Sequence, residues 1–192
     1  MIFDWAERET FTEQASTQSS RNLKQIPQIL RDAGFKVGFV VAPIAWTQPF
    51  LEIVENVVRA HDPVVFVDEC RSIASVLKGA WKTWRLNGST TGTLKIQGLN
   101  CSHIVSLARQ HDQVLPQASL AYTYKSIACI LAKRECKPKA VIYPYENQGW
   151  EKALREGIRA YMPNSKLVAY QFAPFAARYL SFYPFESEIQ TN

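Results

Sequence analysis

Short runs rich in β-branched and aromatic residues alternate with amphipathic stretches of helix length, and this alternation constrains the fold more than any other feature of the chain. "FKVGFVVAP" (35–43), "PVVFVD" (63–68), "KPKAVIYPY" (137–145) and "SKLVAYQF" (165–172) have strand length and are nearly continuous in apolar side chains. Such continuity suits strands covered on both faces, as in a parallel sheet. Residues 22–33, 49–61, 69–86 and 150–162 instead place apolar side chains at helical spacing, as Leu51, Ile53, Val54, Val57 and Val58 do. Ile73, Val76, Leu77, Ala80, Trp81 and Trp84 form another such stripe. Gly34 stands where a helix end takes a left-handed residue, and Asp68 where a following helix takes a cap.

A long helical stretch is predicted from about Cys101 to Cys136, broken near Pro116. "TLKIQ" (93–97) reads as a short edge strand and "LNGSTTG" as a loop. Alternating strands and helices predict an α/β protein, a Rossmann-like parallel sheet with helices on both faces and right-handed crossovers, over residues 22–175. Residues 1–21, with the polar "TEQASTQSSR", read as an irregular lead-in. Residues 176–192 read as a C-terminal tail or the start of a second domain.

Composition narrows the function classes. The net charge of +5 arises from 22 basic and 17 acidic residues. That surplus admits anionic partners but is no nucleic-acid footprint. No run approaches the roughly 18 apolar residues of a membrane span, and the acidic "MIFDWAERETFTEQ" is unlike a secretory leader. The expectation is a cytoplasmic chain without a transmembrane segment. Cys70, Cys101, Cys129 and Cys136 share no zinc-ligand spacing with one another or with His61, His103 and His111, so buried free thiols and no metal are expected. No dinucleotide glycine fingerprint, P-loop or nucleophile elbow occurs.

One stretch joins strand, polar cluster and helix: "VIYPYENQGWEKAL", residues 141–154. In an open parallel sheet ligands gather beyond the C-terminal strand ends, where helix N-termini converge. Glu146, Asn147, Gln148 and Trp150 fall on that rim. A carboxylate there can accept a proton from a hydroxyl nucleophile, and the two amides can hold sugar hydroxyls. Trp150 offers an apolar face on which a sugar ring can stack. The competing reading is purely structural: Glu146 or Asn147 caps the helix, Glu151 complements its dipole, and Trp150 packs between helix and sheet. Asp68, Glu69 and the 43–46 turn are further rim positions, read as a cap and a packing turn. Lys133, Arg134, Lys137 and Lys139 read as a solvated helix end.

"IYPYENQGWEKAL" followed by "KLVAYQFAPF" resembles the E-N-Q-x-W-E-x-A-L … Y-Q segment of bacterial surface carbohydrate biosynthesis proteins, which are similar to GT-B glycosyltransferases of capsule and lipopolysaccharide assembly. The resemblance is strongest over residues 120–184. It implies an acceptor-side lobe, with Glu146 as general base or hydroxyl ligand and with Tyr145, Asn147, Gln148, Trp150 and Gln171 binding a carbohydrate acceptor. It further implies that the nucleotide sugar donor sits on a second Rossmann-like domain or chain, that this lobe binds no cofactor of its own, and that the work is done at the inner face of the membrane. Phe172 replaces the histidine that follows Tyr-Gln in the family, which removes a histidine-assisted step at that position. A non-catalytic binding or assembly module of a polysaccharide complex is the alternative expectation.

Overall fold

Residues 2–6, expected within an irregular lead-in, form the central strand of the sheet. The structure, a computed structural model, describes residues 1–6, 23, 25–43, 50–59, 62–85, 95–96, 98–104, 106–107, 110, 116–146 and 148–171. In chain order the elements are β1 (Ile2–Ala6), α1 (Ile26–Asp32), β2 (Phe39–Pro43), α2 (Phe50–Val58), β3 (Val64–Phe66), a 3-10 turn (Val67–Cys70) and α3 (Ile73–Arg85). There follow β4 (Lys95–Ile96), β5 (Leu99–Asn100), α4 (Pro116–Lys133), β6 (Ala140–Pro144), α5 (Gly149–Tyr161) and β7 (Lys166–Tyr170).

Five strands make one parallel sheet in the order β3-β2-β1-β6-β7, a Rossmann-like α/β arrangement. β1 registers Ile2 against Phe39 on one side and Ile142 on the other. "IFDWA" is short and interrupted by Asp4, which is why its pattern does not announce a strand. Ile2, Phe3 and Ala6 are nonetheless buried, as a strand covered on both faces requires. Among the described residues β4 and β5 pair with each other, antiparallel, with Gly98 between them at φ 84°, so Lys95–Ile96, the described part of the edge strand expected at 93–97, belongs to a separate small hairpin.

The two faces carry separate cores because side chains alternate along each strand. Phe3, Val40, Val141 and Tyr143 pack with Tyr124, Ile127 and Leu131 of α4 and Leu154 and Ile158 of α5. Ile2, Ala6, Phe39 and Val41 pack on the other face with Ile53 and Val57 of α2. Each fully buried Ile or Leu contributes roughly 1.5–3 kcal/mol by leaving water. Pro116 opens α4, where a missing backbone N–H costs nothing. α1 ends as expected, with Gly34 at φ 81° and its N–H donating to the Arg31 carbonyl.

α4 and α5 approach closely because Gly157 has no side chain: a Cβ there would lie 2.7 Å from the Lys125 carbonyl oxygen and 3.0 Å from the Ala128 Cβ. Gly149 has only an ordinary 3.7 Å neighbour, the Ala121 Cβ. Gly157→Ala should therefore lower unfolding free energy by about 1–3 kcal/mol through overpacking, despite its better helix propensity. Gly149→Ala should be close to neutral; urea denaturation of the two variants checks the contrast.

Candidate functional site

The chain runs from β1 outward through β2 to β3, then returns to lay β6 on the opposite side of β1 and β7 beyond it. The reversal makes a topological switch point between β1 and β6, and ligand crevices of open α/β sheets lie beyond the strand ends at such points. Here the crevice is largely filled with aromatic side chains. Trp150, the second residue of α5, has ring centroids 5.9 Å from Trp5, 5.2 Å from Tyr124 and 6.4 Å from Tyr143. Between Asp4, Trp5, Val67, Tyr124, Pro144 and Trp150 a space of about 10 Å³ is left, on the order of one water molecule.

The rim itself is built by the β6–α5 connection. Glu151 is 2% exposed, and its Oε1 accepts from the Glu146 N–H and the Gln148 N–H, both at 2.9 Å. Gln148 is the extended N-cap residue of α5 and Glu151 stands at N3, the place from which an acidic side chain reaches back to the cap N–H. The carboxylate also lies in the positive field of the helix N-terminus. Two acidic residues of one motif thus have different situations. Glu151 is committed to the backbone, whereas the half-buried Glu146 carboxylate has no hydrogen-bond or ion-pair partner among the described residues.

Of the residues singled out from the sequence, Tyr145, Glu146 and Gln171 share this edge. The Tyr145 N–H donates to the Tyr170 carbonyl at 2.8 Å, which sets the end of β6 beside the end of β7 and Gln171 just past it. Gln148 and Gln171 are exposed and Tyr145 is half-buried. Trp150 is also half-buried, with protein rings against it, which leaves a limited surface for stacking a sugar. Asn147 lies outside the described residues, as do Phe172, the 44–46 turn and the 176–192 tail.

Sequence reasoning missed the other half of the crevice. Asp4, 5% exposed, and Trp5 come from the unrecognised β1. Tyr124 comes from the middle of α4, and helical spacing gave no reason to single it out from the core. Next to it, Arg71 donates to Thr123 Oγ1 at 3.2 Å and to Asp68 Oδ1 at 2.5 Å, and its guanidinium lies 5.8 Å from the Tyr124 ring centroid. Asp68 therefore orients Arg71 instead of capping α3, whose first turn is closed by the reciprocal Ser72 and Ser75 bonds. Cys70 is buried, and the other three cysteines are half-buried. Among the described residues no group of three or more His, Cys, Asp or Glu side chains could hold a metal ion.

Comparison with known proteins returns no matching family model, no matching curated protein and no matching solved structure. Fold and rim together define an α/β protein with a Rossmann-like sheet and a polar C-terminal edge. No helix among the described residues is long and apolar enough to cross a membrane.

Two predictions follow from the buried groups. Removing the Glu151 carboxylate leaves two backbone N–H groups without their acceptor, so Glu151→Ala should cost about 1.5–3 kcal/mol in chemical denaturation. Burial raises the Tyr124 phenol above its usual 10.0, with Arg71 opposing the shift. Between 10.0 and that higher value the unfolded chain has lost the proton and the folded chain keeps it, so stability falls as pH rises through this window. Tyr124→Phe should make the fall shallower in thermal melts taken at successive alkaline pH values.

Proposed function

We propose that this chain is the acceptor-side lobe of a GT-B-type glycosyltransferase of bacterial surface polysaccharide assembly. The observation that carries the reading is the Glu146 carboxylate, unpartnered among the described residues, on a rim pinned by Glu151 and flanked by Tyr145, Gln148 and Gln171. A carboxylate on that rim can take the proton from an acceptor hydroxyl as that oxygen bonds to the anomeric carbon of the donor sugar, while the anomeric carbon–oxygen bond to the nucleotide's phosphate breaks and the nucleotide leaves with its electron pair. Gln148 and Gln171 are exposed residues whose amides are of the kind that bind sugar hydroxyls, and Asn147 completes the polar series in sequence. The donor, a nucleotide sugar, is held by a second Rossmann-like domain or chain facing this edge. The setting is cytoplasmic, at the inner face of the membrane where such acceptors are presented.

The 10 Å³ space at the switch point supports a second reading. Trp5, Tyr124 and Trp150 occupy the place where an open sheet takes its ligand, so the lobe can serve as a non-catalytic binding or assembly module of a polysaccharide complex.

The readings separate experimentally. Glu146→Gln in the intact enzyme should lower kcat/KM for transfer by about 10²–10⁴-fold while leaving the unfolding midpoint in place; retained transfer defeats the catalytic assignment. Oligosaccharide acceptors should bind the full chain in ligand-observed NMR titrations, weakened about two- to tenfold by Gln171→Ala. Nucleotide sugar binding to this chain alone would contradict a donor-free lobe.

A further inference from the structure

α3 inverts the usual arrangement of an amphipathic helix. Its inward face is made of small residues: Gly79 and Thr83 are buried, with Ser75 and Val76 half-buried beside them. The fit against α4 is close, since a Cβ at Gly79 would fall 2.4 Å from the Ser119 carbonyl oxygen. The large apolar residues of the same helix point to solvent. Ile73 is 82% exposed, Leu77 64%, Trp81 48% and Trp84 71%. At 100° per residue these four, with the exposed Ala80, form one arc about 100° wide. Lys78, Lys82 and Arg85, all exposed, form the adjoining arc, and α3 carries no acidic residue. Arg85 stacks over the Trp81 ring at 3.9 Å, so cation and aromatic share a boundary on the open surface.

We propose that α3 is a membrane-surface helix that lies in the interface of an anionic bilayer, with Ile73, Leu77, Trp81 and Trp84 entering the headgroup and acyl boundary and Lys78, Lys82 and Arg85 meeting lipid phosphates. Tryptophan and aliphatic residues on one arc with cations on the next are what such an interface selects. Charge complementarity favours this occupant over a second copy of the chain, because two α3 faces brought together would oppose like charges. The apolar arc projects from a convex helix, a form that a deformable bilayer accommodates. The proposal specifies the membrane location given above but rests on α3 alone, so its failure leaves the carbohydrate reading to its own test.

Flotation of the full chain with vesicles decides the matter, using phosphatidylcholine alone and phosphatidylcholine with one part in three of phosphatidylglycerol. Wild type should float with the anionic vesicles, bind less as salt rises, and shift its tryptophan emission to shorter wavelength. Lys78→Glu with Lys82→Glu should weaken binding by about tenfold or more. Leu77→Ser with Trp84→Ser should weaken it at least as much, and both double variants should keep the wild-type thermal midpoint because every substituted side chain is exposed. Absence of flotation, or flotation that neither double variant weakens, overturns the proposal. So does a wild-type dimer, seen by sedimentation, that Leu77→Ser with Trp84→Ser dissolves, since that assigns the face to a second copy.

Discussion

Glu151 accepts from the backbone N–H groups of Glu146 and Gln148 at once, from a position that is 2% exposed and at the N-terminus of α5. A buried carboxylate is costly unless hydrogen bonds and favourable fields compensate it, and here two N–H donors and the helix dipole do so. Everything at the rim follows from that compensation. Glu146 and Gln148 are tied to one carboxylate, α5 starts directly after Gln148, and Trp150 is thereby carried over the strand ends to meet Trp5 and Tyr124. Glu146, five residues before the clamp, is half-buried with its carboxylate unengaged among the described residues.

The sheet supplies the frame for the rim. With β1 between β2 and β6, both neighbours of the central strand end at the same edge, and each face of the sheet is covered by a different set of helices. On one face α4 lies between α3 and α5, and glycines set both contacts, Gly79 against α4 and Gly157 against the α4 backbone. Small residues at these contacts free the large side chains of α3 for the surface. The packing that fixes the helix layer and the apolar arc that faces solvent are two results of one choice of residues.

Much of this was legible in the sequence, for identifiable reasons. β2 and β6 are continuous apolar runs and α5 carries a regular stripe, so local pattern and tertiary burial agree there. β7 is equally apolar in sequence but lies at the sheet edge with Val168 43% exposed, and Ile29 of α1 and Leu51 and Val58 of α2 are on the surface, because periodicity does not say which stripes are covered. β1 was hidden because five residues with a central Asp4 carry little periodic signal, and their strand character comes from pairing on both sides. α3 was recognised as a helix but its orientation was not. Periodicity locates an apolar stripe without saying whether it faces a core, and the small residues that do the packing leave almost no hydropathy signal. At the site, the rim position of Tyr145, Glu146 and Gln171 could be read from strand, loop and helix order. The clamp by Glu151 was visible only as a dipole complement, and the crevice partners Trp5 and Tyr124 required the fold.

Glu151 holds the rim through the Glu146 and Gln148 amides. Backbone hydrogen exchange followed by NMR addresses those two groups directly. Both amides should exchange much more slowly than free peptide groups in the wild-type chain and lose that protection in Glu151→Ala, which removes the accepting oxygen, while the amides of β6 keep theirs. Exchange of the Glu146 and Gln148 amides at free-peptide rates in the wild type would show an unpinned loop and contradict the account.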